Sequence, residues 1–282
     1  MAPHKLYAVN VRLSDGVSLF VHEVGAGFPV ILLHGGPGLD HTHLSPWLDG
    51  LRSDFRLLYV DERGQGRSER VDARSLTLEG FAKDVDLLAE ALELDGFALF
   101  GHSFGAIIAT KHAIERGTAA AYVISGGGDS SAELEADVDA SLEALGESGA
   151  LIADSWEREK TVSTEEELRQ LLDDQMPFHF EGEPPAGFSD RMIGSPDVLR
   201  HFARIGYGEF DYPPELGRVT KPTLVIVGEK DRTTTTRAAR ALHEGIAGSK
   251  LTIVPEVGHM SFVEAPGPYL DAVRSFLREV AN

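Results

Sequence analysis

The sequence predicts an α/β protein with a mainly parallel sheet, helices on both faces and an inserted helical cap. Two observations support this prediction. Short apolar runs typical of buried strands alternate with helical patterns in the first and last parts of the chain. Between residues 128 and 212 no such run occurs, and acidic helical patterns take its place. We therefore predict a core of residues 1–128 and 213–282, with residues 129–212 forming the cap.

The elements before the cap follow from periodicity and turn residues. Alternation in residues 5–13 and 17–24 around Asp15-Gly16 indicates a hairpin. Continuous apolar or strand-like runs predict strands at 28–33, 56–60, 97–100 and 120–125. Helices are predicted at 45–51, at 77–94 with Thr77 as the N-cap, and from the turn at Ser103 to about residue 116.

The cap and the last part of the chain are predicted in the same way. Helical patterns cover residues 133–145, 164–176 and 196–205, and residues 178–188 are expected to be irregular because they are rich in proline, glycine and aromatics. Strands at 222–227 and 251–254 then alternate with helices at 233–246 and 265–280.

Composition limits the classes of function. The chain has 282 residues, of which 42% are hydrophobic, so it can bury a large core. Its formal charge of −19 argues against nucleic acid and anionic membranes as partners. The absence of cysteine excludes disulfides, thiolate nucleophiles and thiolate metal sites. With no apolar signal core near residue 1 and no apolar run of membrane-spanning length, we expect a soluble cytoplasmic protein.

A candidate nucleophile lies where the strand at 97–100 meets the following helix. Residues 101–105 read Gly-His-Ser-Phe-Gly. Glycines at both ends permit a bend that brings strand and helix too close for side chains, with Ser103 at its tip. Gly-x-Ser-x-Gly also arises by chance, and the strand-turn-helix context favours the functional interpretation.

A serine hydroxyl needs a base to take its proton and a third group to orient that base. His259 follows the last predicted strand and Asp231 the strand before it, so both should lie at the same sheet edge as Ser103. We predict His259 as the base and Asp231 as the acid. Asp129 follows another strand and is the alternative acid, and His259 could instead be a surface histidine.

The negative charge that develops on a substrate carbonyl oxygen also needs hydrogen-bond donors. The amide of Phe104, directly after the nucleophile, is one candidate. The second is expected in residues 34–38, His-Gly-Gly-Pro-Gly, with the amide of Gly36 as our prediction.

Together these motifs resemble the α/β-hydrolase fold family. They comprise residues 34–38, 61–68, 101–106, Asp231 and 258–259, and the chain order Ser, Asp, His matches that family's catalytic triad. The segments 34–38 and 61–68 (Asp-Glu-Arg-Gly-Gln-Gly-Arg-Ser) look most like its proline iminopeptidase-like branch, the serine aminopeptidases. The resemblance implies a helical cap over the site, whose acidic side chains bind the amino terminus of the substrate.

Two positions differ from that branch. Its serine turn usually reads Gly-Gly-Ser-Trp-Gly, and its amine-binding Ala-Arg-Ile-Glu motif corresponds here to residues 203–206, which end in Gly206. Glu209 and Glu264 are the candidate replacements for the missing carboxylate. An aminopeptidase and an esterase, lactonase or amidase for an uncharged acyl compound therefore both remain open. A catalytically silent ligand-binding protein on the same fold is a third hypothesis.

No cofactor or metal is predicted. His34, His41 and His43 lie near Asp40 in sequence, but no second ligand cluster accompanies them and a glycine-rich loop is a poor rigid frame. The glycine-rich turns lack the Gly-Lys-Ser/Thr ending of a nucleotide site. We expect a small-molecule or short-peptide substrate, and the sequence does not specify an oligomeric state.

Overall fold

A mainly parallel sheet forms the centre of the protein. The computed structural model describes residues 7–281. Its strands run in the order β1-β2-β4-β3-β5-β6-β7-β8, and only the β1–β2 and β2–β4 pairs are antiparallel. The strands are β1 (Tyr7–Arg12), β2 (Ser18–Gly25), β3 (Phe28–Leu33), β4 (Phe55–Val60), β5 (Ala98–His102), β6 (Ala121–Ser125), β7 (Thr223–Gly228) and β8 (Lys250–Val254). The predicted fold class is thus confirmed.

Helices cover both faces of this sheet. They are α1 (Leu78–Ala91), α2 (Phe104–Glu115), α3 (Ser131–Leu145), α4 (Glu147–Glu159), α5 (Glu165–His179), α6 (Pro196–Arg204), α7 (Thr236–Gly245), α8 (Ser261–Glu264) and α9 (Pro266–Ala281). Apolar side chains of α1, α2 and α7 share one buried cluster with one face of the sheet. Side chains of α9 pack in a second cluster with the other face and with the cap. None of the described helices is both long and apolar enough to cross a membrane.

Local signals place several elements where the sequence predicts them. The Thr77 hydroxyl accepts a hydrogen bond from the Gly80 amide at the start of α1. Thr164 and Glu167 form a capping box at the start of α5. The first hairpin forms as predicted, although residues 5 and 6 of its first strand lie outside the described residues.

Two predictions of helices need correction. Residues 45–51 do not form a helix, and short 3-10 turns occupy His41–His43 and Asp49–Leu51 instead. The Asp49 amide donates to the Pro46 carbonyl oxygen and the Leu51 amide to that of Leu48, which are bonds to the third preceding residue rather than the fourth. A segment of this length has little helical stability of its own. Conversely, α4 was not predicted, because its buried face is made of Gly149, Ile152, Ser155 and Glu159 and so lacks an apolar stripe.

Helices α3 to α6 all lie between β6 and β7. The two ends of this insertion meet, since the Ser131 amide donates to the Phe210 carbonyl oxygen at 2.8 Å and the Tyr212 amide to that of Asp129 at 2.9 Å. These two hydrogen bonds join the first and last residues of the insertion and so mark its boundary. We therefore keep residues 129–212 as the proposed limits of the cap.

Candidate active site

Ser103 lies at a sharp turn between β5 and α2. Its backbone has φ 55° and ψ −117°, a conformation that side-chain-bearing residues rarely adopt. The turn is tight because a methyl group at Gly101 would clash with the Gly105 carbonyl, and one at Gly105 would lie 2.6 Å from the His34 carbonyl oxygen. The two flanking glycines are thus required sterically, as the motif predicts.

His259 and Asp231 form a buried pair at the carboxyl ends of β8 and β7. His259 Nδ1 lies 2.7 Å from Asp231 Oδ2, and both side chains are 1% exposed. The other carboxylate oxygen of Asp231 accepts the amides of Thr233 and Thr234 at 2.8 and 2.9 Å. Burial opposes ionisation of Asp231, but the charge of His259 and these hydrogen bonds hold its pKa below the ordinary value. The carboxylate is therefore ionised and fixed in orientation.

Ser103 and His259 line the same cavity, which has a volume of about 580 Å³. Its floor comes from the loops at the carboxyl ends of the strands, and its upper wall from cap helices α3 to α6. Gly36 and Phe104 also line it, whereas Asp231 does not and acts on the cavity only through His259. The structure thus brings four of the five predicted site residues to one cavity wall.

Gly36 is the residue of its loop whose backbone amide is not used by another described group. The Gly35 amide donates to His43 Nδ1 at 3.1 Å and the Gly38 amide to Gln65 Oε1 at 2.5 Å, while the residue between Gly36 and Gly38 is a proline without an amide hydrogen. Within residues 7–281 no protein group accepts the amide of Gly36 or that of Phe104. Two donors on the cavity wall therefore remain available to a substrate oxygen.

The alternative acid is engaged elsewhere. Both carboxylate oxygens of Asp129 bind the guanidinium of Arg237, at 2.8 and 2.9 Å. Arg237 also contacts Asp137 of α3 at 2.9 Å, so this network attaches the cap to α7. Asp129 is a structural residue here, and Asp231 is the acid that contacts His259.

His102, next to the nucleophile, packs in the interior. Its ring lies between those of His43 and His259, with centroid distances of 5.5 and 4.7 Å. Its Nδ1 is 3.1 Å from the Ser125 hydroxyl. Burial, together with the neighbouring histidines, lowers its pKa well below the usual value, so the ring is neutral.

The histidines considered as metal ligands do not converge with one another. His41 Nδ1 lies 2.6 Å from Asp61, His43 binds the Gly35 amide, and His34 Nδ1 contacts a backbone carbonyl oxygen. Asp40, His41 and Asp61 are close enough to share an ion, but Asp40 already binds the Arg67 guanidinium at 2.6 Å. The absence of a metal therefore stays a prediction.

The two candidate replacements for the carboxylate at position 206 do not reach the cavity. Glu264 accepts the amides of Glu181, Gly182 and Gly258 at 2.8–2.9 Å and so organises the loop before His259. Glu209 is exposed on the surface. Neither side chain lines the cavity, so this expectation was wrong for both residues.

Four other cap carboxylates line the cavity, those of Glu135, Asp139, Glu157 and Glu159, and Glu159 of α4 is the only buried one among them. Its oxygens accept the Gln175 amide at 2.7 Å and the Tyr207 hydroxyl at 2.5 Å. Glu159 is 4% exposed, and burial raises its pKa to about 7 although both hydrogen bonds oppose this effect. Sequence patterns missed this residue because it belongs to the helix that the pattern did not predict.

His179, at the end of α5, is a second cavity residue that the sequence did not single out. Its Nδ1 lies 2.9 Å from the Thr233 hydroxyl and its ring 5.4 Å from that of His259. Burial and the neighbouring His259 lower its pKa to about 3, so it is neutral. It packs the cap directly against the candidate base.

A strained serine turn, a buried His–Asp pair and two free amides around one cavity are typical of hydrolases with an α/β core. The family model described as "Alpha/beta hydrolase family" matches residues 30–272. The chain belongs to the α/β-hydrolase family.

Among its relatives, the chain is 26% identical to the proline iminopeptidase of Saccharolobus solfataricus, over 98% of this chain and 95% of that protein. It is 28% identical to the AB hydrolase superfamily protein YisY of Bacillus subtilis, over 96% and 98%. The fold is similar to the crystal structure of proline iminopeptidase from Mycobacterium smegmatis, with TM-score 0.80, 21% identity and coverage of 98% and 99%. These similarities confirm the resemblance to the proline iminopeptidase-like branch.

Proposed function

We propose that this protein is a serine hydrolase that cleaves a small ester or amide bond through an acyl-enzyme. The observation that carries the proposal is the buried Asp231–His259 pair beside the cavity that Ser103 lines. His259 takes the hydroxyl proton as Ser103 attacks the substrate carbonyl, and Asp231 stabilises the resulting imidazolium. His259 then protonates the leaving group, and a water molecule hydrolyses the acyl-enzyme.

The amides of Gly36 and Phe104 are the proposed donors to the tetrahedral oxyanion. Both lie on the cavity wall and neither is used by another described group. Because no rearrangement is needed to free them, they stabilise the developing charge without a reorganisation cost. The proposed partner is accordingly a small-molecule or short-peptide substrate that fits a cavity of about 580 Å³.

Among substrates, we propose first an aminopeptidase of the proline iminopeptidase type, which removes a small N-terminal residue. Glu159 supports this choice because it places a carboxylate on the cap side of the cavity. With a pKa of about 7, Glu159 is easily ionised by a bound ammonium group. Gln175 donates a hydrogen bond to one of its oxygens and Tyr207 donates to the other, so each oxygen keeps a further lone pair.

The second candidate is an esterase, lactonase or amidase for an uncharged acyl compound. It is favoured by the apolar side chains that make up much of the cavity wall, among them Leu39, Ile107, Leu134, Met176 and Leu199. Gly206 also removes the carboxylate that the aminopeptidase motif would carry at that position.

One comparison of substrates separates these candidates. Turnover of a prolyl arylamide, of its N-acetylated form and of short-chain aryl esters is measured for the unmodified protein and for Glu159→Gln. An aminopeptidase cleaves only the free amine efficiently and loses that preference in Glu159→Gln. Efficient ester cleavage with indifference to the free amine, unchanged in Glu159→Gln, would favour the second candidate.

A further inference from the structure

His43 has one ring nitrogen bound to the loop that carries Gly36. It lies at the end of the 3-10 turn His41–His43, is 2% exposed and lines the cavity. Its Nδ1 accepts the Gly35 amide at 3.1 Å. A methyl group placed on Gly35 would lie 2.6 Å from His43 Cε1 and 3.2 Å from Ser103 Cβ. The imidazole and the nucleophile therefore lie against the same side of Gly35.

The contact with Gly35 fixes the protonation of this ring. A backbone amide only donates, so Nδ1 of His43 must be unprotonated. Burial, together with nearby His34 and His259, lowers the pKa of His43 well below the usual value, so the ring is neutral. Its single proton is consequently on Nε2.

The Nε2 proton has no acceptor among the residues that the structure describes. No group among residues 7–281 contacts this atom by a hydrogen bond. The Nε2 of His102 is sealed in the interior without a partner, but that of His43 is not so enclosed, and the residue borders the cavity. The rings of Phe188 and Phe262 pack edge-on against that of His43, both with a centroid distance of 6.2 Å. A donor without a protein partner beside the cavity gains a hydrogen bond when a ligand supplies the acceptor.

We infer that His43 is a substrate-binding residue whose Nε2–H donates a hydrogen bond to a second oxygen of the substrate. The scissile carbonyl oxygen already has the free amides of Gly36 and Phe104 as donors. The inferred substrate class is thus an acyl compound with an additional ether, hydroxyl or keto oxygen close to the scissile carbonyl. The inference rests on the proposed function, since it assigns a specificity residue to the same site.

Two conservative substitutions separate binding of substrate from support of the loop. The amide oxygen in His43→Asn replaces Nδ1, so it keeps an acceptor for Gly35 but presents no donor at the position of Nε2. The side-chain amide in His43→Gln reaches the position of Nε2 and donates there. A substrate-binding role therefore predicts rescue by glutamine, and a purely structural role predicts rescue by asparagine.

The test uses two aryl esters of nearly equal size, an aryl methoxyacetate and the corresponding aryl butyrate, which differ by an oxygen in place of a methylene. The measured quantity is kcat/KM for the methoxyacetate divided by kcat/KM for the butyrate. We expect this ratio to fall about tenfold in His43→Asn and to stay within about twofold of the original in His43→Gln. An unchanged ratio in His43→Asn, or loss of activity on both esters only in His43→Gln, would overturn the inference. Hydrolysis of a prolyl arylamide but of neither ester would also overturn the inference. Hydrolysis of none of these three compounds by the unmodified protein, above the level of Ser103→Ala, would instead contradict the proposed function.

A second measurement does not depend on the folding of the His43 variants. In Ser103→Ala protein with ¹⁵N-labelled histidine, addition of the methoxyacetate ester should shift the Nε2–H proton resonance of His43 downfield, and the butyrate ester should not. Equal responses to both esters would also overturn the inference.

Discussion

The guanidinium of Arg237 binds both carboxylate oxygens of Asp129, at 2.8 and 2.9 Å. This ion pair removes Asp129 from the candidate active site and leaves Asp231 to orient His259. Two aspartates that both follow strands of the sheet therefore have different roles, and the difference can be measured.

We expect Asp231→Asn to lower kcat on an activated ester by about 10⁴-fold, because an asparagine at this position favours the wrong tautomer of His259. Asp129→Asn is the matched control. Its kcat should stay within about tenfold of the original, because this substitution weakens only the ion pair with Arg237 that attaches the cap. Steady-state kinetics of both purified variants checks this. The reverse order of effects would make Asp129 the functional acid.

The tight turn at Ser103 gives a second prediction. Gly105→Ala introduces a methyl group against the carbonyl oxygens of Leu33 and His34, the latter at 2.6 Å, in the packed interior. We expect a loss of about 1–3 kcal/mol in the free energy of unfolding, as for other forced overpacking. Gly217→Ala is the control, since no atom lies within 4 Å of the added methyl group. Urea unfolding curves that are equal for the two variants would refute the close approach.

The buried carboxyl of Glu159 predicts a dependence of stability on pH. Its pKa is about 7 in the folded protein, against an ordinary value of 4.5, so the folded state binds more protons than the unfolded state between these pH values. The contribution of Glu159 to stability is therefore fully present below about pH 4.5 and is lost as the pH rises through 7. Relative to the unmodified protein, Glu159→Gln should become more stable on going from pH 4.5 to pH 8, by on the order of 3 kcal/mol.

Urea unfolding of both proteins at pH 4.5, 6 and 8 checks the sign of this effect. Glu157→Gln is a suitable control because Glu157 is largely exposed and pairs with Lys160 on the surface of α4. If the difference in free energy of unfolding between Glu159→Gln and the unmodified protein did not change with pH, the carboxyl of Glu159 would not be desolvated in the folded state.

Much of the core was predictable because its signals are local. Buried strands such as β5 and β7 are continuous apolar runs, and Thr77 and Thr164 mark helix starts through bonds to amides three residues away. The serine turn was predictable from its short motif, although only Gly101 meets a group inside that motif, the Gly105 carbonyl. The requirement at Gly105 comes from the distant carbonyl oxygens of Leu33 and His34.

The residues that shape the cavity were not predictable because their partners are distant in sequence. Glu159 is identified by Gln175 and Tyr207, which lie 16 and 48 residues away. His43 gains its significance from a neutral ring bound to Gly35 and open to the cavity, which only the folded chain reveals. Gly149 likewise lets α3 and α4 approach closely, and this replaces the apolar pattern that a helix prediction needs.

In the proposed function Ser103 is the nucleophile and His259 activates it. Covalent labelling with a fluorophosphonate, followed by mass spectrometry of the labelled peptide, tests it most directly. We expect one label on Ser103, no label in Ser103→Ala, and a loss of turnover on the order of 10⁶-fold in that variant, which should still fold. Wild-type turnover in Ser103→Ala, or labelling of another residue with Ser103 unmodified, would contradict it.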